Sequence, residues 1–166
     1  MPEQQFTDAI ALLKNDHDEV ETLFNKFERA SSGKQALAEQ ICNELKIHSM
    51  IEEEIFYPAL EGRIEDDLLK EAFVEHDGAK VLINDIMAGG SDDAFYDAKV
   101  KVLSEEIMHH VKEEEKPSEG MFAQAREAGV DLVALRDQLM SRKQELKAQA
   151  QAGGLPPAQL TVVQEA

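Results

Sequence analysis

The sequence predicts an all-α protein: an up-down-up-down four-helix bundle with an additional C-terminal helix. Three observations carry this. Helix formers dominate the 166 residues, tryptophan is absent, and no run of alternating β-branched residues marks a sheet. Apolar residues recur at steps of three and four through five successive stretches. Two of those stretches share a pattern, His48-Ser49-Met50-Ile51-Glu52-Glu53 and His110-Val111-Lys112-Glu113-Glu114-Glu115, each H-x-x-x-E-E. Residues four apart lie on one face of a helix, so each segment aims an imidazole and a carboxylate at the same point.

Thr7 reads as the N-cap of a first helix that runs to about Ala30 and ends at Ser31-Ser32-Gly33. Its apolar stripe is Ile10, Leu13, Val20, Phe24 and Phe27, and the one gap is filled by His17, which therefore points inward. A second helix is expected from Lys34 to Tyr57, where Pro58 discourages continuation. Its stripe is Ile41, Leu45, His48, Glu52, Ile55 and Ala59, which leaves Glu53 and Glu54 on the solvated face. The third, about Glu65 to Met87, ends at Gly89-Gly90 and aligns Leu69, Phe73 or Ala72, His76, Ile83 and Met87. Ser91 reads as the cap of a fourth, with Asp92 and Asp93 complementing the helix dipole. Its stripe is Tyr96, Val100, Leu103, Ile107, His110 and Glu114; His109 falls out of phase and outward, and Pro117 ends the helix. A fifth, about Asp131 to Ala150, lines up Leu132, Leu135, Leu139 and Leu146, to pack across the bundle or against a second subunit. The expected division is a metal-binding bundle over 1–128, a packing helix over 129–150 and a flexible tail over 151–166, where Gly153-Gly154 and Pro156-Pro157 fall.

Helices one and two thus resemble helices three and four as a repeat. A lone His is followed by H-x-x-x-E 31 residues later in the first half and 34 in the second. A duplicated helical hairpin closing on itself gives a bundle with pseudo-twofold symmetry. Into its axis point His17, His48, Glu52, His76, His110 and Glu114. A metal-free core of His–Glu ion pairs fits part of this pattern, but six inward polar groups would cost such a core heavily. Two cations remove the cost. His17 and His48 are then allotted to one, His76 and His110 to the other, with Glu52 and Glu114 long enough to bridge them. Iron, manganese and zinc all suit imidazole and carboxylate ligands, while the lack of thiolates disfavours a structural zinc site.

The formal charge of −17 argues against nucleic acid or an anionic membrane as the main partner, since both need a basic surface. Cys42, the single cysteine, excludes an internal disulfide and reads as a small buried residue. No basic and apolar leader opens the chain and no apolar run approaches membrane-spanning length, so a cytoplasmic location is expected. Neither a glycine-rich phosphate loop nor a Ser-His-Asp arrangement is present, and no catalytic side chain is assigned.

These residues resemble the hemerythrin-like, or HHE cation-binding, domain over about 7–125. The resemblance rests on Asp16-His17-Asp18-Glu19-Val20, on the segment His48 to Pro58, on Glu75-His76-Asp77, and on His109 to Glu115. It implies a left-handed four-helix bundle around two non-haem iron ions, bridged by both glutamates and an oxo or hydroxo ligand. It also implies O2, NO or peroxide as the small ligand, in binding, sensing, peroxide or oxygen disposal under stress, or iron handling. A homodimer or signalling partner would read out a sensing role.

The oxygen-carrying members have a second His one turn after the third-helix His; here that position is Lys80. A protonated lysine is a poor ligand. The expectation is therefore an open position at the second metal, with Lys80 snorkelling to solvent or placing its charge near a bound anion. Glu21, one turn after His17, is able to reach the site but reads as surface. Tyr57 and Tyr96 read as packing residues with a second possibility as donors near the metals.

Overall fold

Asp8 starts the first helix. Its backbone is extended and its carboxylate accepts the Ala11 N–H at 2.9 Å, satisfying an amide that has no partner inside the helix. The cap is therefore one residue later than Thr7, and α1 spans Ala9–Arg29. The structure, a computed structural model, is described for residues 5–164.

The second helix does not stop at the proline. α2, Lys34–Ile51, widens into a π turn, Glu52–Phe56, where the Tyr57 N–H bonds back to the Glu52 carbonyl, and runs on as α3, Tyr57–Leu60. Pro58 lacks an N–H and is tolerated in the first turn of a helical segment, which is where the widened turn leaves it. The π turn also inserts one residue into the helical phase. The inward stripe therefore shifts from Ile55 and Ala59, which are half-buried, to Phe56, Tyr57 and Leu60, which are fully buried.

α4 spans Asp66–Gly89 and ends on Gly90, whose φ of 69° suits a residue without a Cβ. Its inward stripe closes on Ile86, and Met87 is exposed. Ser91 does not cap the next helix. Its hydroxyl donates to Gln35 at 2.9 Å, Asp93 accepts the Phe95 N–H at 2.9 Å, and α5 starts only at Tyr96, ending at Glu115 before Pro117. A short helix that periodicity did not reveal follows: α6, Met121–Glu127, which buries Met121, Phe122 and Ala125. Seven residues show too few turns for a periodic signal. α7, Leu132–Ala152, is capped by Asp131 and buries all four leucines of its stripe.

Neighbouring contacts run α1 to α2, α2 to α4, α4 to α5 and α5 back to α1, the closed ring of an up-down-up-down bundle joined by short loops. α7 lies across α1 and α2 of its own chain. Among the described residues there is no strand, and no helix is long and apolar enough to cross a membrane. One apolar cluster gathers Ile10, Leu13, Ile51 and Phe56 with α6 and α7; the other gathers Val20, Phe24, Ile41, Ile83 and Leu103. Along α1, His17 falls between Leu13 of the first cluster and Val20 of the second, and His48, Glu52, His76, His110 and Glu114 gather at the same level. Cys42 is buried in the second cluster, where burial pushes its thiol up to about 12.

The tail expected to be loose is tied down. Pro156 O accepts from Lys46 Nζ at 3.2 Å, and Asn84 and Ala158 exchange two hydrogen bonds of 2.8 Å. The amides of Thr161, Val162 and Val163 all donate to the Asp77 carboxylate, at 2.7–3.1 Å. Buried acceptors on α4 thus find their donors in the tail.

Gly120 closes the corner between α5 and α6. A Cβ there would lie 2.5 Å from Lys116 O and 2.8 Å from Glu113 O. Gly120→Ala is expected to destabilise the fold by about 1–3 kcal/mol in urea unfolding, as overpacking against backbone does. An unchanged unfolding midpoint would contradict this closed corner.

Candidate metal centre

Each bundle helix contributes one imidazole to the polar layer: His17 from α1, His48 from α2, His76 from α4 and His110 from α5. Glu52, in the π turn, and Glu114, at the end of α5, are buried with them. All six residues anticipated from the sequence come together. Donor atoms of His17, His48 and Glu114 lie within 4.8 Å of one another, and so do those of Glu52, His76 and His110.

The glutamates join the two groups. Glu52 Oε1 is 2.8 Å from His48 Nε2 and 3.3 Å from His76 Nε2. Glu114 Oε1 is 3.4 Å from both His17 Nε2 and His110 Nε2. Each carboxylate therefore touches one imidazole of each half. Despite this closeness, His17 Nε2, His48 Nε2, both Glu52 oxygens and Glu114 Oε1 are buried without an aligned hydrogen bond. Orphaned buried polar atoms cost several kcal/mol unless something fills the space between them. Converging nitrogen and oxygen donors that miss one another in this way fit a pair of cations.

Every imidazole is held from behind. His17 Nδ1 lies 2.7 Å from Glu115, His48 Nδ1 2.9 Å from Asp16, His76 Nδ1 2.8 Å from Glu53, and His110 Nδ1 2.9 Å from Glu75. A carboxylate on Nδ1 keeps the proton there, fixes the ring and leaves Nε2 as the inward donor atom. The pattern obeys the internal repeat. The acid preceding His17 holds His48, as the acid preceding His76 holds His110. The second Glu of each H-x-x-x-E-E holds the lone His of the other half. Glu53 is thus no solvated residue, correcting the sequence expectation. The signal for these outer acids was visible in Asp16-His17, Glu75-His76 and the doubled glutamates, but helical phase alone could not assign partners across helices.

The charges balance accordingly. Burial lowers the His48 pKa, but Glu52 and Asp16 outweigh it and bring it to about 10. Burial likewise opposes protonation of His17 and His110, and their facing carboxylates raise both. Burial pushes Glu114 up, while His110 and His17 hold it well below the usual carboxylate range.

Tyr57 is a site residue. The π turn carries its hydroxyl inward, where it donates to Glu114 Oε2 at 2.8 Å and lies 3.2 Å and 3.3 Å from the Nε2 atoms of His76 and His110. Burial first, then Glu114 and Glu52, raise its pKa well above the ordinary value, so it stays a neutral O–H donor. Tyr96 packs on Phe27 in the second apolar cluster instead. Phe122 of α6 stacks on His17, centroids 5.9 Å apart. Lys80 does not snorkel: its buried ammonium pairs with Glu53 at 2.9 Å and Asp77 at 3.1 Å. Glu21 and His109 are exposed. Beside the imidazoles lies a cavity of about 30 Å³, room for about one water-sized molecule, with Val20, Leu45, Ala79, Ile83, Ile107 and Val111 in its lining.

Comparison with known proteins agrees with this geometry. The hemerythrin HHE cation binding domain model matches residues 8–122. A DNA nickase from Nostoc sp. (strain PCC 7120) is 28% identical over 107 residues, which take in 63% of this chain and 30% of that protein. The crystal structure of a hemerythrin HHE cation binding domain-containing protein from Mycobacterium kansasii shares the fold. It is 20% identical, with a TM-score of 0.72 over 90% of this chain and 96% of the other.

Two outcomes follow for a cation here. Because their facing carboxylates favour the protonated forms of His48 and His110, loading at pH 7 displaces protons, and affinity rises with pH as proton competition fades. A pH-indicator titration with Co2+ reads this directly; uptake without proton release would contradict it. Glu53→Ala is expected to weaken binding by about 10–100-fold, while the exposed Glu61→Ala leaves it unchanged. Equal affinities in a chelator competition would remove Glu53 from the site.

Proposed function

The chain belongs to the hemerythrin HHE cation binding domain family, and on that premise we propose that it holds two non-haem iron ions and binds a small uncharged ligand, dioxygen or nitric oxide. His17 and His48 would hold one ion and His76 and His110 the other, with Glu52, Glu114 and a single oxygen atom between them. The observation that carries the reading is the placement of Glu52 and Glu114, each touching an imidazole of both halves. Iron in such a centre supplies exchangeable coordination positions and reversible one-electron chemistry. The protein's own residues orient the ions through the four outer carboxylates and keep bulk water away with two apolar clusters. Besides the imidazoles and the apolar side chains, Asp16, Glu44, Ser49 and Lys80 line the small cavity, whose size admits only a small ligand.

A second reading, peroxide or oxygen reduction, is favoured by one residue. Tyr57 brings an O–H beside His76 and His110, and cleaving an O–O bond needs a proton donor. The nicking activity in the Nostoc relative's name is not carried over. The match covers 30% of that protein, and a net charge of −17 opposes DNA binding.

Elemental analysis of protein grown with iron is expected to give about two irons per chain, with most of the metal lost in Glu52→Ala or Glu114→Ala; one zinc, or none of either metal, overturns the reading. Iron loading should raise thermal stability, by roughly 4 kcal/mol at a thousandfold excess over Kd. Stopped-flow mixing of anaerobic ferrous protein with O2, NO and peroxide separates the two readings. If peroxide is turned over, Tyr57→Phe is expected to slow that turnover about a hundredfold or more while retaining both irons. A variant as fast as the parent would leave Tyr57 without a proton-donating role.

A further inference from the structure

The family match ends at residue 122, yet the chain beyond it reaches the centre twice. Lys143, on α7, places its ammonium on Asp16, the carboxylate that holds His48. Thr161, in the tail, donates its hydroxyl to Glu53, the carboxylate that holds His76, and accepts from Lys80 at 3.0 Å. One contact falls in each half of the centre. Both acids so backed are shielded, Asp16 with 6% and Glu53 with 10% of its side chain exposed. Their counterparts have no such cover. Glu115 and Glu75, which hold His17 and His110, are 31% and 25% exposed.

We propose that the C-terminal segment from α7 to residue 163 is a clamp on the metal centre, in which Lys143 and Thr161 are positioning residues for His48 and His76. This rests on the metal reading above. The clamp is anchored independently of the centre. Arg142 makes a forked pair with Glu54 of the π turn at 2.8 and 3.3 Å, and three tail amides grip Asp77. Lys80 belongs to the same device. With one ammonium it satisfies Glu53, Asp77 and Thr161, tying α4 to the tail at the position where an oxygen carrier has a ligand. Seating the segment therefore fixes two rings, and by reciprocity a bound ion that fixes the rings holds the segment down.

The test uses the full chain with Thr161→Val, Thr161→Ser, Lys143→Met and, as a surface control, Lys101→Met. Thr161→Val keeps the shape and the backbone N–H to Asp77 and removes only the hydroxyl. Competition of Fe2+ against a chelator should show about 10–100-fold weaker binding in Thr161→Val and Lys143→Met, with Thr161→Ser and Lys101→Met like the parent. In metal-free protein, the imidazole NMR signal of His76 should move in Thr161→Val and that of His48 in Lys143→Met, each leaving the other in place. Amide exchange at 161–163 should slow when iron is bound. Parental affinity together with unmoved imidazole signals in both variants overturns the clamp. A parent that binds no iron while the imidazole signals move as described overturns the metal reading and leaves the positioning of His48 and His76 standing.

Discussion

Four imidazoles must turn their Nε2 atoms inward within a layer that excludes water, and the structure arranges itself around that demand. An inward nitrogen is reliable only if the outward one is occupied, and each Nδ1 is held by a carboxylate at 2.7–2.9 Å. Those carboxylates come from helices other than the one carrying the imidazole. The bond that orients each ring is therefore also a bond between helices, and the centre and the bundle reinforce one another. Apolar clusters above and below seal the layer, which strengthens every charge interaction inside it.

The π turn at Glu52–Phe56 is where the two halves stop being equivalent. Without it, Ile55 and Ala59 would face the axis and Tyr57 would turn away. The added residue brings Tyr57 onto Glu114 and leaves Pro58 where its missing N–H is harmless. Nothing comparable interrupts α5, so one half of the centre has a protic group and the other has Phe122 stacked on His17. Widened turns recur at functional sites because they re-aim side chains without breaking the helix.

Lys80 shows how a residue's partners stay hidden when only one helix is considered. One turn from His76, it suggested a missing ligand. In the fold it neutralises Glu53 and Asp77, and its own burial is matched by three oxygen partners. The tail supplies the third, so the reason for lysine at this position lies some eighty residues further along the chain.

By itself, the sequence determined the helical class, the inward stripes of α1, α5 and α7, the duplicated hairpin, and the six residues that meet at the axis. These follow from periodicity, because residues three and four apart share a face whatever else the chain does. The tertiary structure alone decided which acid holds which imidazole, that Glu53 and Lys80 face one another, that Tyr57 reaches the centre, and that the tail closes on Asp77. Each of these depends on contacts between distant segments, or on a single extra residue that shifts the helical phase. Sequence spacing carries no record of either: a period describes one helix, and these pairings exist only once several helices have packed.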